Sequence, residues 1–133
     1  MTTSIVYYSG ELRTESTHLQ SGETYITDAP TDNEGKGNAF SPTDLIATGL
    51  ANCMLTIMGI IAKRQSLDIE GTKAEVTKIM GAEPRMISEI RIDFFFPKSY
   101  DKDSKQLLQT SALNCPVAKS LANDLTQTIN FHY

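Results

Sequence analysis

Between Leu45 and Ala62 the chain carries eighteen consecutive uncharged residues, closed by Lys63-Arg64. No other segment is as long and apolar, so the rest of the fold has to be arranged around this one. By length alone it approaches a membrane span. Asn52 sits in its middle with Thr48 and Thr56 close by, which makes one stripe polar, and Gly49 and Gly59 thin it further. The segments on either side are half-apolar and need a surface to pack on. The run therefore reads as a buried central helix and not as a membrane span. Ser41-Pro42-Thr43-Asp44 starts it well: Ser41 can cap, Pro42 suits the first helical position, and Asp44 suits the positive helix end. Lys63 and Arg64 suit the negative end, and a helix to about Gln65 would be roughly 35 Å long.

Around that helix the pattern is mostly β. Ile5 to Gly10 alternates as a first strand, and Leu12 to Leu19 alternates again. Gln20-Ser21-Gly22-Glu23 turns, and Thr24 to Thr27 returns as a third strand. Asp28 to Asn38 holds Pro30, Asp32, Asn33, Gly35 and Gly37 and reads as a loop. After the helix, Ile69 to Met80 and Ile87 to Phe96 are strands joined by a turn at Gly81-Ala82-Glu83-Pro84. In the second of these, Ile90, Ile92, Phe94 and Phe96 share a face. Asp101 to Leu113 predicts a helix with Leu107, Leu108, Ala112 and Leu113 as its apolar edge. Cys115-Pro116 starts a short third helix to about Asn123, and Leu125, Ile129, Phe131 and Tyr133 suit one face of a last strand. The order β-β-β-α-β-β-α-α-β makes an α+β fold with a mostly antiparallel sheet, read as one domain over residues 1–133.

Composition removes several function classes. A net charge of −4 provides no broad basic surface, so no nucleic-acid partner is expected. Two cysteines cannot build a disulfide scaffold, and Met1 to Tyr7 has neither the basic nor the apolar part of a signal peptide. A cytoplasmic chain with reduced thiols and no membrane partner is expected. His18 and His132 are the only histidines, neither is spaced for a metal with a cysteine, and no metal is expected. There is no G-x-G-x-x-G, Walker A or G-x-S-x-G motif. A phosphate at the start of the long helix is disfavoured, because Pro42 lacks a donor and Asp44 repels an anion.

The chemistry left is thiol chemistry. Cys115, just before Pro116, falls at a helix N-cap, where the helix dipole favours a thiolate. Cys53 lies mid-helix on an apolar face with Gly49, Leu50 and Ile57, and needs an outside cation to ionise. Each has a plain alternative, a buried small hydrophobe for Cys53 and an incidental cap for Cys115. Arg13 is the charged residue of its strand able to point across a sheet, and its plainer reading is a solvated side chain.

The run from Gly35-Lys36-Gly37-Asn38 through Ser41-Pro42-Thr43-Asp44-Leu45 to Cys53-Met54 resembles a signature of the OsmC-like family, which includes the organic hydroperoxide resistance proteins. Asn114-Cys115-Pro116-Val117 resembles the family's second signature. The resemblance extends from about Ile5 to Tyr133. It implies antiparallel sheets around the long helix, an intertwined homodimer, and sites at the dimer interface. It further implies a peroxidase for organic hydroperoxides or hydrogen peroxide, in oxidative-stress defence. Cys53 would be the peroxidatic cysteine and Cys115 the resolving one, with an external dithiol as reductant and no bound cofactor. Those roles reverse the ranking from the helix dipole, and an arginine near the N-terminus, here Arg13, would activate Cys53. In the hydroperoxide resistance branch, Glu follows the Pro and pairs with that arginine. Here the position is Thr43, and Asp44, one residue later, is the candidate acid. The form Ser-Pro-x-acid-Leu resembles a less characterised branch. The alternative function is a non-catalytic or small-ligand-binding dimer whose cysteines are structural.

Overall fold

The computed structural model describes residues 1–133, which divide into two compact units, Met1–Leu45 and Ile46–Tyr133. In the first, β1 (Ser4–Gly10), β2 (Arg13–His18) and β3 (Thr24–Asp28) form an antiparallel sheet in that order. Gly10 pairs with Arg13, so the β1–β2 turn is the two residues Glu11 and Leu12. Both have positive φ, 55° and 64°, as a hairpin turn with the twist of its strands requires. Leu12 therefore belongs to the turn and not to the strand. The expected loop follows β3 with one 3-10 turn at Thr31–Asn33. At Gly35 a Cβ would come 1.6 Å from the Ala29 carbonyl oxygen, so the loop closes only with glycine there.

The long helix α1 spans Pro42–Arg64. Its start is a reciprocal capping box. The Asp44 N–H donates to Ser41 Oγ at 3.1 Å, and the Ser41 N–H donates to Asp44 Oδ2 at 3.0 Å. Its end is a Schellman turn around Ser66 at φ 55°, with the Leu67 N–H donating to the Ala62 carbonyl at 2.8 Å.

In the second unit β4 (Lys73–Ala82), β5 (Arg85–Phe95) and β6 (Thr126–His132) form the other sheet, with β5 central. One detail differs from the sequence reading. Residues 69–72 are a turn at Gly71 (φ 91°) instead of strand, and β4 instead continues to Ala82. β6 pairs with β5 in parallel, the exception in a mostly antiparallel arrangement. The cause is the crossover: Phe96 to Leu125 includes α2 (Lys102–Leu113) and α3 (Pro116–Ser120), which return the chain to the starting edge before β6 begins.

The core joins one face of α1, through Leu50, Met54 and Met58, with Ile90, Ile92 and Phe94 of β5 and Leu108 and Ala112 of α2. The expected inward row on β5 is present. On α2 the apolar edge narrows to Leu108 and Ala112, because Leu107 and Leu113 are exposed. The burial expected of α1 holds along one face only. Ile46 and Ile60 on its other side are exposed, since one sheet can cover only one side of a helix. The helix has the length and apolarity of a membrane span, yet its buried side chains belong to this core.

Candidate functional site

Both cysteines lie in the second unit and neither is in a disulfide. Cys53, mid-helix on α1, is half-buried and packs against the core. A Cβ added at Gly49, one turn earlier, would meet nothing within 4 Å, so the surface beside the cysteine is open. Cys115 is fully buried. It is the N-cap of α3, as its place before Pro116 predicts. Its backbone is extended (φ −67°, ψ 154°), and its Sγ accepts the Ala118 N–H at 3.4 Å.

Cys53 is near enough to Cys115 to affect the ionisation of its thiol. Burial pushes the Cys115 thiol above its ordinary 9.0, the Ala118 amide pulls it back down, and the neighbouring Cys53 thiol raises it again. This corrects the expectation that its cap position would make Cys115 the readier thiolate. α3 is only five residues long, so its dipole is short, while the sulfur has no contact with water. The arrangement is an accessible thiol beside a buried, protonated one. Two neighbouring thiols are chemically able to pass through a sulfenic acid to a disulfide.

The cation and acid candidates lie in the first unit. Arg13 is cross-strand neighbour to Asp28, and its Nε stands 3.8 Å from Asp28 Oδ1. Asp28 is 1% exposed, and its other carboxylate oxygen accepts the Asn38 N–H at 3.0 Å. The acid that meets Arg13 is thus Asp28, while Asp44, the candidate read from the sequence, serves the cap of α1. In the sequence Asp28 opens the loop expected over residues 28–38 and carries no visible role. The signal available was its position as the last residue of a strand opposite an arginine. Arg91 pairs with Glu89 at 3.3 Å on the outer face of β5, an ordinary surface contact. His132 lies 2.9 Å from Asp93, and no group of three or more His, Cys, Asp or Glu gathers to hold a metal.

Comparison with known proteins agrees with this architecture. The model of the OsmC-like protein family matches residues 35–130. Among solved structures, a protein of Psychrobacter arcticus 273-4, provisionally named for osmotic stress induction and a detoxification response, is 55% identical. It superposes with a TM-score of 0.96 over 99% of this chain and 96% of that one. The organic hydroperoxide resistance protein OsmC of Legionella pneumophila shares 17% identity and a TM-score of 0.74, covering 100% and 98% of the two chains. The organic hydroperoxide resistance protein OhrB of Bacillus subtilis shares 18% identity and a TM-score of 0.65, covering 98% of each. A search of curated proteins finds no match. The family match spans most of the chain, including both cysteines: this chain belongs to the OsmC-like protein family.

Proposed function

We propose that this chain is a thiol-dependent peroxidase that reduces organic hydroperoxides, with hydrogen peroxide as a smaller substrate of the same class, in oxidative-stress defence. The observation that carries the reading is the pair itself, a half-buried Cys53 thiol next to the buried Cys115 thiol. Membership of the OsmC-like family and the likeness to hydroperoxide resistance proteins support it.

In this reading the Cys53 thiolate attacks the outer peroxide oxygen. The O–O bond breaks, the alkoxide leaves and takes up a proton as the alcohol, and Cys53 becomes a sulfenic acid. The Cys115 thiolate then attacks that sulfur. The S–O bond breaks, a disulfide forms, and the departing hydroxide leaves as water with the proton from Cys115. An external dithiol reopens the disulfide in a reducing cytoplasm, and no bound cofactor takes part. Arg13, paired with Asp28, is the candidate cation of this chemistry, a role taken from the family resemblance. A homodimer is assigned as the working form, supported by the exposed apolar residues of β1 and α1.

The test is consumption of cumene hydroperoxide by the reduced protein with dithiothreitol or dihydrolipoamide. The parent turns over, Cys53→Ser does not, and Arg13→Ala retains only a small fraction of the rate. Full activity in Cys53→Ser would overturn the reading and leave the cysteines structural.

A further inference from the structure

One inward position of β6 is occupied by the wrong kind of residue. Leu125, Ile129, Phe131 and Tyr133 keep the parity of the core-facing row, and the residue of the same parity between them is Gln127. It is the strand partner of Ile90, which is fully buried. Gln127 itself is half-buried, so the donor it turns inward is the group that needs a partner within the protein. The Gln127 Nε2 donates to the Ala118 carbonyl oxygen at 3.0 Å. Ala118 is the α3 residue whose own N–H donates to Cys115 Sγ at 3.4 Å. A single residue is therefore pinned on both sides, by the sheet through its carbonyl and by the cysteine sulfur through its amide. A helix of five residues does not hold its shape by its own hydrogen bonds, so an outside tether sets its position.

We propose that Gln127 is a positioning residue for Cys115: by fixing Ala118 it aims the amide at the sulfur and holds that sulfur for closure onto Cys53. The closure part rests on the peroxidase reading above; the hold on Cys115 does not. In the closing step Cys115 contributes one sulfur–sulfur bond and one proton, and the sulfenic oxygen leaves as water, so any displacement of α3 acts on this step and not on attack by Cys53.

The experiment compares the full chain with Gln127→Met, Gln127→Glu and Gln127→Lys, each confirmed folded by circular dichroism. One equivalent of cumene hydroperoxide is added. Dimedone traps the Cys53 sulfenic acid, and mass spectrometry follows the disulfide. In a parallel series in the Cys53→Ser background, iodoacetamide alkylation of Cys115 is followed against pH. Gln127→Met should form sulfenic acid at the parent rate but close it slower by roughly tenfold, the scale of one net hydrogen bond. Its Cys115 alkylation midpoint should move to higher pH. Gln127→Glu keeps the shape but loses the donor and should behave like Gln127→Met; Gln127→Lys keeps a donor and should recover part of the rate. Closure and alkylation midpoint equal to the parent in both Gln127→Met and Gln127→Glu would overturn the proposal. Should the parent form no sulfenic acid, the peroxidase reading fails, and the Cys115 alkylation series still decides the role of Gln127. Should Gln127→Met not fold, the isosteric Gln127→Glu decides it.

Discussion

At the scale of single residues, Asp93 and Glu89 on the outer face of β5 make the charge state of the fold explicit. His132 Nε2 lies 2.9 Å from Asp93 Oδ1, and that hydrogen bond is the main reason Asp93 titrates below its ordinary 3.8. The Thr128 hydroxyl, 2.7 Å from Glu89, does the same for Glu89 below its ordinary 4.5. A carboxylate depressed in the fold contributes stability that is present above its unfolded pKa and is lost as pH falls through its folded one. The melting temperature should therefore be nearly level between about pH 7 and 5 and fall below roughly pH 4. The fall should be shallower in Asp93→Asn, measured by thermal unfolding across that range; an unchanged slope would contradict the assignment. The cysteines show what residue-level reading can and cannot reach. That Cys115 caps a helix follows from Pro116 next to it, a local fact. Its high thiol pKa does not, because the burial responsible comes from side chains distant in sequence. Asp28 was illegible for the same reason: its partner Arg13 is cross-strand, and register is not written in either residue alone.

At the scale of elements, α1 carries the core. Leu50 and Met54 have no exposed surface, while Ile60 is 42% exposed. Leu50→Ala should cost about 2–5 kcal/mol in urea unfolding, through lost burial and the cavity left behind. Below about 1 kcal/mol, it would contradict the placement of Leu50 in the core. The helix was legible almost to the residue, because Ser41-Pro42-Thr43-Asp44 and the uncharged run are local signals that the capping box and Schellman turn then satisfy. The alternation of β5 was legible too, and its inward residues are those of the core. The direction of β6 was not. Strand direction depends on how a connection crosses the sheet, and two helices between Phe96 and Leu125 reverse the outcome that a hairpin would give. Likewise Leu107 and Leu113 matched an apolar edge by composition, but on α2 the buried arc is only wide enough for Leu108 and Ala112.

At the scale of the molecule, the sheet of β1, β2 and β3 sets the problem. Tyr7 is 72% exposed and Val6 56%, and these neighbours point to opposite faces of one strand. Ile5, Tyr8, Tyr25 and Ile26 are exposed as well. A three-stranded sheet with apolar residues bare on both faces is stable in water only when something covers it. The homodimer proposed above supplies that cover. Light scattering after size exclusion should give twice the chain mass at micromolar concentration, and Tyr7→Glu combined with Ile60→Glu should lower it toward one chain. A parent that runs at the mass of one chain would remove the dimer from the account.

Whether Cys53 and Cys115 work as a redox pair is decided on the reduced protein. One equivalent of cumene hydroperoxide is added without reductant, and the products are mapped by mass spectrometry. A redox pair gives a disulfide between Cys53 and Cys115 with one equivalent of cumyl alcohol, a trappable Cys53 sulfenic acid in Cys115→Ser, and untouched peroxide in Cys53→Ser. Peroxide that persists in the parent, or both thiols recovered unmodified, would contradict it.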